Sequence, residues 1–144
     1  MKTSGNNNIL LVEDNPDDAE LILIALKKHN FTGQVYVARD GAEALQCLFD
    51  EAGACWNSGS GANVIFLDLK LPRMGGLEVL QKVKTDQRTQ KIPVVVFTSS
   101  DEESDISESY RLGANSYLVK PVEFEKLIDA VGRMAQYWLS LNQN

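Results

Sequence analysis

The chain carries one histidine, two cysteines and no apolar stretch long enough to cross a bilayer, and each shortage removes a class of function. His29 stands alone near the end of a helical pattern, which suits a capping or surface residue better than a catalytic one. Cys47 and Cys55 make neither a CxxC motif nor a metal-ligand spacing, so they read as reduced thiols. The N-terminus, Met1 to Asn8, is polar and lacks the apolar core of a signal peptide, so residues 1–8 read as a disordered tail and the expected location is cytoplasmic. Positive charge is also short. Fourteen Lys and Arg face 20 Asp and Glu, a net charge of −6 that argues against a nucleic-acid or anionic membrane partner.

What is present is an ordinary globular composition, 44% hydrophobic and 24% charged over 144 residues, enough for one domain with one core. Short apolar runs at Ile9–Val12, Gln34–Ala38, Val64–Leu67, Ile92–Phe97 and Ser116–Val119 read as strands. Helical patterns alternate with them. The first opens at Asn15-Pro16-Asp17-Asp18, with an Asx cap and a proline in the first turn, and closes at the cations Lys27-Lys28. Others span Ala42 to Phe49, the stretch around Leu77 to Val83, and about Ser104 to Leu112, which has so few apolar residues that it should be the least firmly held. The last runs from about Glu123 to Leu141. Residues 50–62 form the longest irregular stretch, and Trp56 within it is expected to fold back as a local cover rather than meet a partner. Strand–helix alternation of this kind implies an α/β fold with right-handed crossovers and a parallel sheet covered on both faces. Residues 9–144 should form one domain with an extended C-terminal helix and no output domain.

In a parallel sheet all strands end on one edge. Glu13-Asp14, Asp68, Thr98 and Lys120 are the residues that leave it. Strand order is not readable directly. In the flavodoxin-like, doubly wound (βα)5 order 2-1-3-4-5, the first and third strands are central neighbours, and Glu13, Asp14 and Asp68 share the cleft at the switch point. Each close carboxylate pair then repels by on the order of 4 kcal/mol at an effective dielectric of about 20. A divalent cation, or a proton on one member, relieves this. An all-oxygen donor set with few protein ligands suits Mg²⁺, which shares phosphate oxygens readily. With Lys120 as fixed positive charge and Thr98 as hydroxyl donor, the pocket fits phosphoryl transfer, and Asp68 is the natural nucleophile. Lys120-Pro121 also allows a cis peptide that would aim the lysine over the cleft.

Together, Glu13-Asp14, Asp68-Leu-Lys-Leu-Pro-Arg-Met-Gly-Gly76, Thr98-Ser and Tyr117-Leu-Val-Lys-Pro121 resemble the response-regulator receiver domain of two-component signalling, over roughly Ile9 to Arg133. The resemblance implies that Asp68 accepts a phosphoryl group from a sensor histidine kinase. It implies that Asp14 binds Mg²⁺ with help from Glu13, partly through water, with Asp68 and the backbone carbonyl of Lys70 as further ligands. Thr98 would turn toward the phosphoryl group, Lys120 would pair with it, and Tyr117 would change rotamer with Thr98. Asn15-Pro-Asp-Asp and the 50–62 insertion look more like the single-domain regulators paired with cyanobacterial phytochromes. Leu71 departs from the methionine common at its position. Lys70 and Ser100 could change how fast the acyl phosphate hydrolyses.

Two other readings compete. A haloacid-dehalogenase-like phosphatase needs a second Asp two residues after the nucleophile, and Lys70 stands there. A flavodoxin-like flavin binder needs a phosphate loop rich in Gly and Ser, which the acidic first loop is not. At the C-terminus, Leu127, Val131 and Met134 fit the core. Tyr137, Trp138 and Leu141, with Tyr110 on the fourth helix, suggest a homodimer face made by the fourth helix, fifth strand and fifth helix; local packing is the alternative.

Overall fold

The computed structural model describes residues 7–50, 55–56 and 61–139. Five strands alternate with five helices: β1 (Asn8–Val12), α1 (Pro16–Lys28), β2 (Gln34–Ala38), α2 (Gly41–Leu48), β3 (Val64–Leu67), α3 (Gly76–Lys84), β4 (Val94–Thr98), α4 (Glu103–Arg111), β5 (Ser116–Val119) and α5 (Phe124–Trp138). The strands pair in parallel in the order β2-β1-β3-β4-β5, as the flavodoxin-like reading requires.

Strand alternation divides the core into two layers. Ile9, Leu11, Val64, Phe66, Val95 and Phe97 face α1 and α5, where Ile22, Leu26, Val131 and Met134 meet them. Leu10, Val12, Ile65, Leu67, Val94 and Val96 face the other way, onto Ala44 and Cys47 of α2 and Val79, Leu80 and Val83 of α3. Strands β1, β3 and β4 are buried along their whole length, which explains their uninterrupted apolar runs.

Several boundaries move from those expected. β1 starts one residue early, because the Asn8 backbone N–H donates to Asn63 Oδ1 and its side chain donates to the Gly61 carbonyl. Asn8 therefore belongs to β1 and not to a tail, and the Asn7 carbonyl before it accepts from the Gln34 N–H at 3.1 Å; residues 1–6 lie outside the described residues. β4 begins at Val94, after Pro93, which has no N–H to give the ladder but accepts from Ile65 through its carbonyl. α5 stops at Trp138, short of Leu141, because Leu139 turns extended (φ −119°, ψ 162°). Helix α4 buries only Ser109, in keeping with its sparse apolar pattern.

His29 does cap α1, and it also bridges helices: its Nε2 lies 3.0 Å from the Ile128 carbonyl of α5. Gly132 makes this possible, since a Cβ there would fall 2.3 Å from the imidazole. Trp56 folds back onto the α2–α3 layer, is buried, and meets Tyr36 edge to face at 6.2 Å. Beside it, Cys47 and Cys55 are free thiols.

Candidate functional site

The ends of β1 and β3 lie side by side, with Val12 in register with Leu67 and the Asp68 N–H donating to the Val12 carbonyl at 3.0 Å. From there β1 runs on to α1 on one face of the sheet, while β3 leads to α3 on the other. The chain thus opens a crevice at its switch point, where ligands of open α/β sheets bind. Gly76, opening α3, keeps this corner tight: a Cβ there would lie 2.4 Å from the Asp68 carbonyl oxygen and 2.6 Å from Leu69 Cα.

Lys120 enters the crevice from the end of β5, its N–H bonded to the Thr98 carbonyl at 2.7 Å. Its ammonium donates to Glu13 Oε1 at 2.6 Å, Asp18 Oδ2 at 3.0 Å and Asp68 Oδ2 at 3.0 Å. An ammonium has three donors, and all are used. The cis bond that Lys120-Pro121 allows is not adopted, and no cis bond occurs among the described residues. The second oxygens of Asp68 and Glu13 are partnered too. Asp68 Oδ1 accepts from the Lys70 N–H at 3.2 Å, and Glu13 Oε2 accepts from the Asn15 N–H at 3.1 Å.

Burial makes these charges matter. The Glu13 side chain is 2% exposed and that of Lys120 9%. Burial, reinforced by the Asp68 charge, pushes the Glu13 carboxyl up to about 7 against the pull of Lys120. Burial also works to raise Asp68, but the Lys120 charge and hydrogen bonds around the carboxylate outweigh it and hold the group below the usual range. Lys120, despite its desolvation, is raised by Glu13 and Asp68. The resting pocket is therefore an ionised Asp68 and a charged Lys120, with Glu13 poised to take a proton.

Thr98 is fully buried at the end of β4. Its hydroxyl is close enough to Asp68 to help hold that carboxylate ionised, yet it makes no bond of proper geometry and its oxygen has no partner. Asp14 follows Glu13 at the same edge and is exposed. Among the described residues no three acidic, histidine or cysteine side chains are gathered closely enough to ligate one ion as they stand. Lys120 sits among the acids in that role. The hard oxygen donors of Glu13, Asp14 and Asp68 nonetheless fit a small divalent cation.

Tyr117 on β5 is half-buried and its hydroxyl donates to the Ser100 carbonyl at 2.8 Å, fastening the loop between β4 and α4. Ser100 in turn donates to Asp105 Oδ2 at 2.6 Å, inside α4. The aromatic residues expected at an interface divide. Tyr110 and Tyr137 are exposed, the latter 76%, and Trp138 is half-buried against the core. Tyr137 and Trp138, with Leu118, Met134 and Arg133, line a surface cavity of about 360 Å³. Leu141 lies outside the described residues.

Sequence reasoning missed Asp18. It read as a capping acid in the first turn of α1, but its carboxylate reaches Lys120 from 102 residues away in sequence. The available signal was its place in the first turn of the helix that follows Glu13-Asp14, close to the end of β1.

A family model described as response regulator receiver domain matches residues 9–132. The chain is 41% identical over 136 residues to a probable methanogenesis regulatory protein, FilR2, of Methanothrix harundinacea, covering 94% of this chain and 86% of that one. Against response regulator Rcp1 of Synechocystis the identity is 38% over 131 residues, covering 91% and 88% of the two chains. Rcp1 in its Mn²⁺-bound form superposes with a TM-score of 0.81, covering 94% of this chain and 96% of that one. The phosphorylated cyanobacterial phytochrome response regulator RcpA superposes at 0.84 with 39% identity, covering 93% and 94%.

Proposed function

The chain belongs to the response regulator receiver domain family, whose signalling works through phosphorylation, and from that premise we propose that Asp68 is its phosphoacceptor. The observation that carries this is the pairing of an ionised Asp68 with the buried Lys120 ammonium at the switch point, beside the unpartnered Thr98 hydroxyl. An Asp68 oxygen forms a bond to phosphorus as the P–N bond of a kinase phosphohistidine breaks, the electron pair leaving with the imidazole. Lys120 neutralises charge on the transferred group, and the Thr98 hydroxyl, buried beside Asp68, offers it a hydrogen bond.

Glu13, Asp14, Asp68 and the Lys70 carbonyl are the groups that would hold Mg²⁺. When bound, the ion would supply positive charge to offset that of the carboxylates and the incoming phosphoryl group. Lys70 itself is exposed at the position where a haloacid-dehalogenase-like phosphatase needs its acid, which disfavours that reading.

The response is read at the surface. Thr98 ends β4, Ser100 follows it, and the Ser100 carbonyl holds Tyr117, so a pull on Thr98 bears on both Tyr117 and the loosely seated α4. The α4-β5-α5 face, with Tyr110, Leu118, Val119 and Tyr137 exposed, is the surface proposed to change and to support a homodimer. Similarity to RcpA favours a phytochrome-type sensor histidine kinase as donor, and the proposed setting is cytoplasmic.

Incubation with acetyl phosphate and Mg²⁺, followed by a phosphate-affinity gel, tests the assignment. Wild type should shift and Asp68→Asn should not. Equal uptake by the two proteins refutes it.

A further inference from the structure

The Lys120 ammonium has no donor to spare. Its three N–H groups are committed to Glu13, Asp18 and Asp68, so pairing with a phosphoryl group on Asp68 requires that one bond be given up. Unless a cation takes the ammonium's place, Glu13 is the costliest of the three to lose, because its side chain is 2% exposed and no water would replace the ammonium. Asp68 carries the group being captured. Asp18 differs from both: its side chain is 38% exposed, and it stands in the first turn of α1. Water can solvate its carboxylate once released, and the positive end of the helix holds its charge favourably in either state. Its backbone is fixed by the Asn15 cap, whose Oδ1 accepts from the Asp18 N–H at 3.2 Å.

We propose that Asp18 is a positioning residue: it holds the third donor of Lys120 in the unphosphorylated protein and surrenders it to the phosphoryl group. Asp18 thus sets the lysine's readiness for capture, as an internal competitor of the incoming anion. The inference rests on the assignment of Asp68 as phosphoacceptor. Asp17 is its natural control, with the same charge on the same turn and no part in the lysine's three bonds.

The experiment is a titration with beryllofluoride at saturating Mg²⁺, followed by amide NMR, on wild type, Asp18→Asn, Asp18→Ala, Asp18→Glu and Asp17→Asn. Removing a half-exposed ion-pair competitor should tighten binding by about fivefold in Asp18→Asn and Asp18→Ala. Asp18→Glu should return toward wild type, and Asp17→Asn should change affinity by less than about twofold, the effect of net charge alone. The two neutral variants guard against a misfolded one, and their amide spectra before titration report folding directly. Affinities for both neutral variants within twofold of wild type, or weaker, overturn the inference, as does a gain in Asp17→Asn equal to that in Asp18→Asn. Those results leave Asp68 standing. A wild type that neither binds beryllofluoride nor takes up phosphate overturns the functional assignment, and this inference with it.

Discussion

Replacing Lys120 with methionine removes the positive charge from the pocket while keeping most of the stem's volume. The ammonium contacts two nearly buried carboxylates at 2.6 and 3.0 Å. Each contact is worth about 6 kcal/mol at an effective dielectric of about 20, before the desolvation of all the partners is set against it. What survives that offset is the penalty of stranding the acids, about 3–5 kcal/mol at pH 8 in metal-free buffer. Proton uptake then decides the pH dependence. The Glu13 carboxyl, ordinarily at 4.5, is raised to about 7 in the fold, so the native state holds a proton that the unfolded chain does not. Stability from this group is therefore present at low pH and falls as pH climbs from 4.5 to 7. Losing Lys120 removes a group that pulls Glu13 downward, so in the variant Glu13 is neutral at pH 5 and the penalty shrinks to about 1–2 kcal/mol. Urea unfolding of wild type and Lys120→Met, followed by circular dichroism at pH 5 and pH 8 with EDTA, measures the difference directly. Adding Glu13→Gln to Lys120→Met should recover more than half of the pH 8 loss. An equal loss at both pH values, or one under about 1 kcal/mol at pH 8, refutes the account of a charge-stranded pocket.

Two further outcomes test separate parts of the molecule. Thr98→Val puts a methyl group in place of a buried hydroxyl that makes no bond of proper geometry, and should leave the fold within about 1 kcal/mol of wild type while slowing phosphoryl uptake about tenfold or more. Urea midpoints and an acetyl phosphate time course check the two halves, and a variant destabilised by more than that would mean that the hydroxyl is bonded after all. Trp56→Ala should cost about 3–5 kcal/mol, because the indole is buried on the α2–α3 layer against Tyr36; a loss below about 1 kcal/mol would mean that this stretch does not cover the core.

Much of this protein was legible in order along the chain. Apolar runs such as Val64–Leu67 announced strands buried on both faces, Asn15-Pro16 announced the start of α1, and strand–helix alternation implied a parallel sheet. These are local signals, set by side-chain period, capping chemistry and backbone restriction, and they need no distant partner. Boundaries set by long-range bonds were less visible. β1 gains Asn8 through Asn63 and Gly61, and the end of α5 at Trp138 had no marker such as a glycine.

For the site, the sequence by itself determined which chemistry was available: acids, a hydroxyl and a lysine at successive strand ends. The tertiary structure alone decided their pairing. Strand order brought Lys120 to Glu13, 107 residues away; burial then raised the Glu13 carboxyl, while the Lys120 charge and hydrogen bonds lowered that of Asp68 against its own burial. It also recruited Asp18, which looked like a helix cap until the helix was laid against the sheet face with its first turn beside Lys120. Electrostatic coupling depends on separation in space and on exclusion of water, and neither quantity is written in the spacing of residues along a chain.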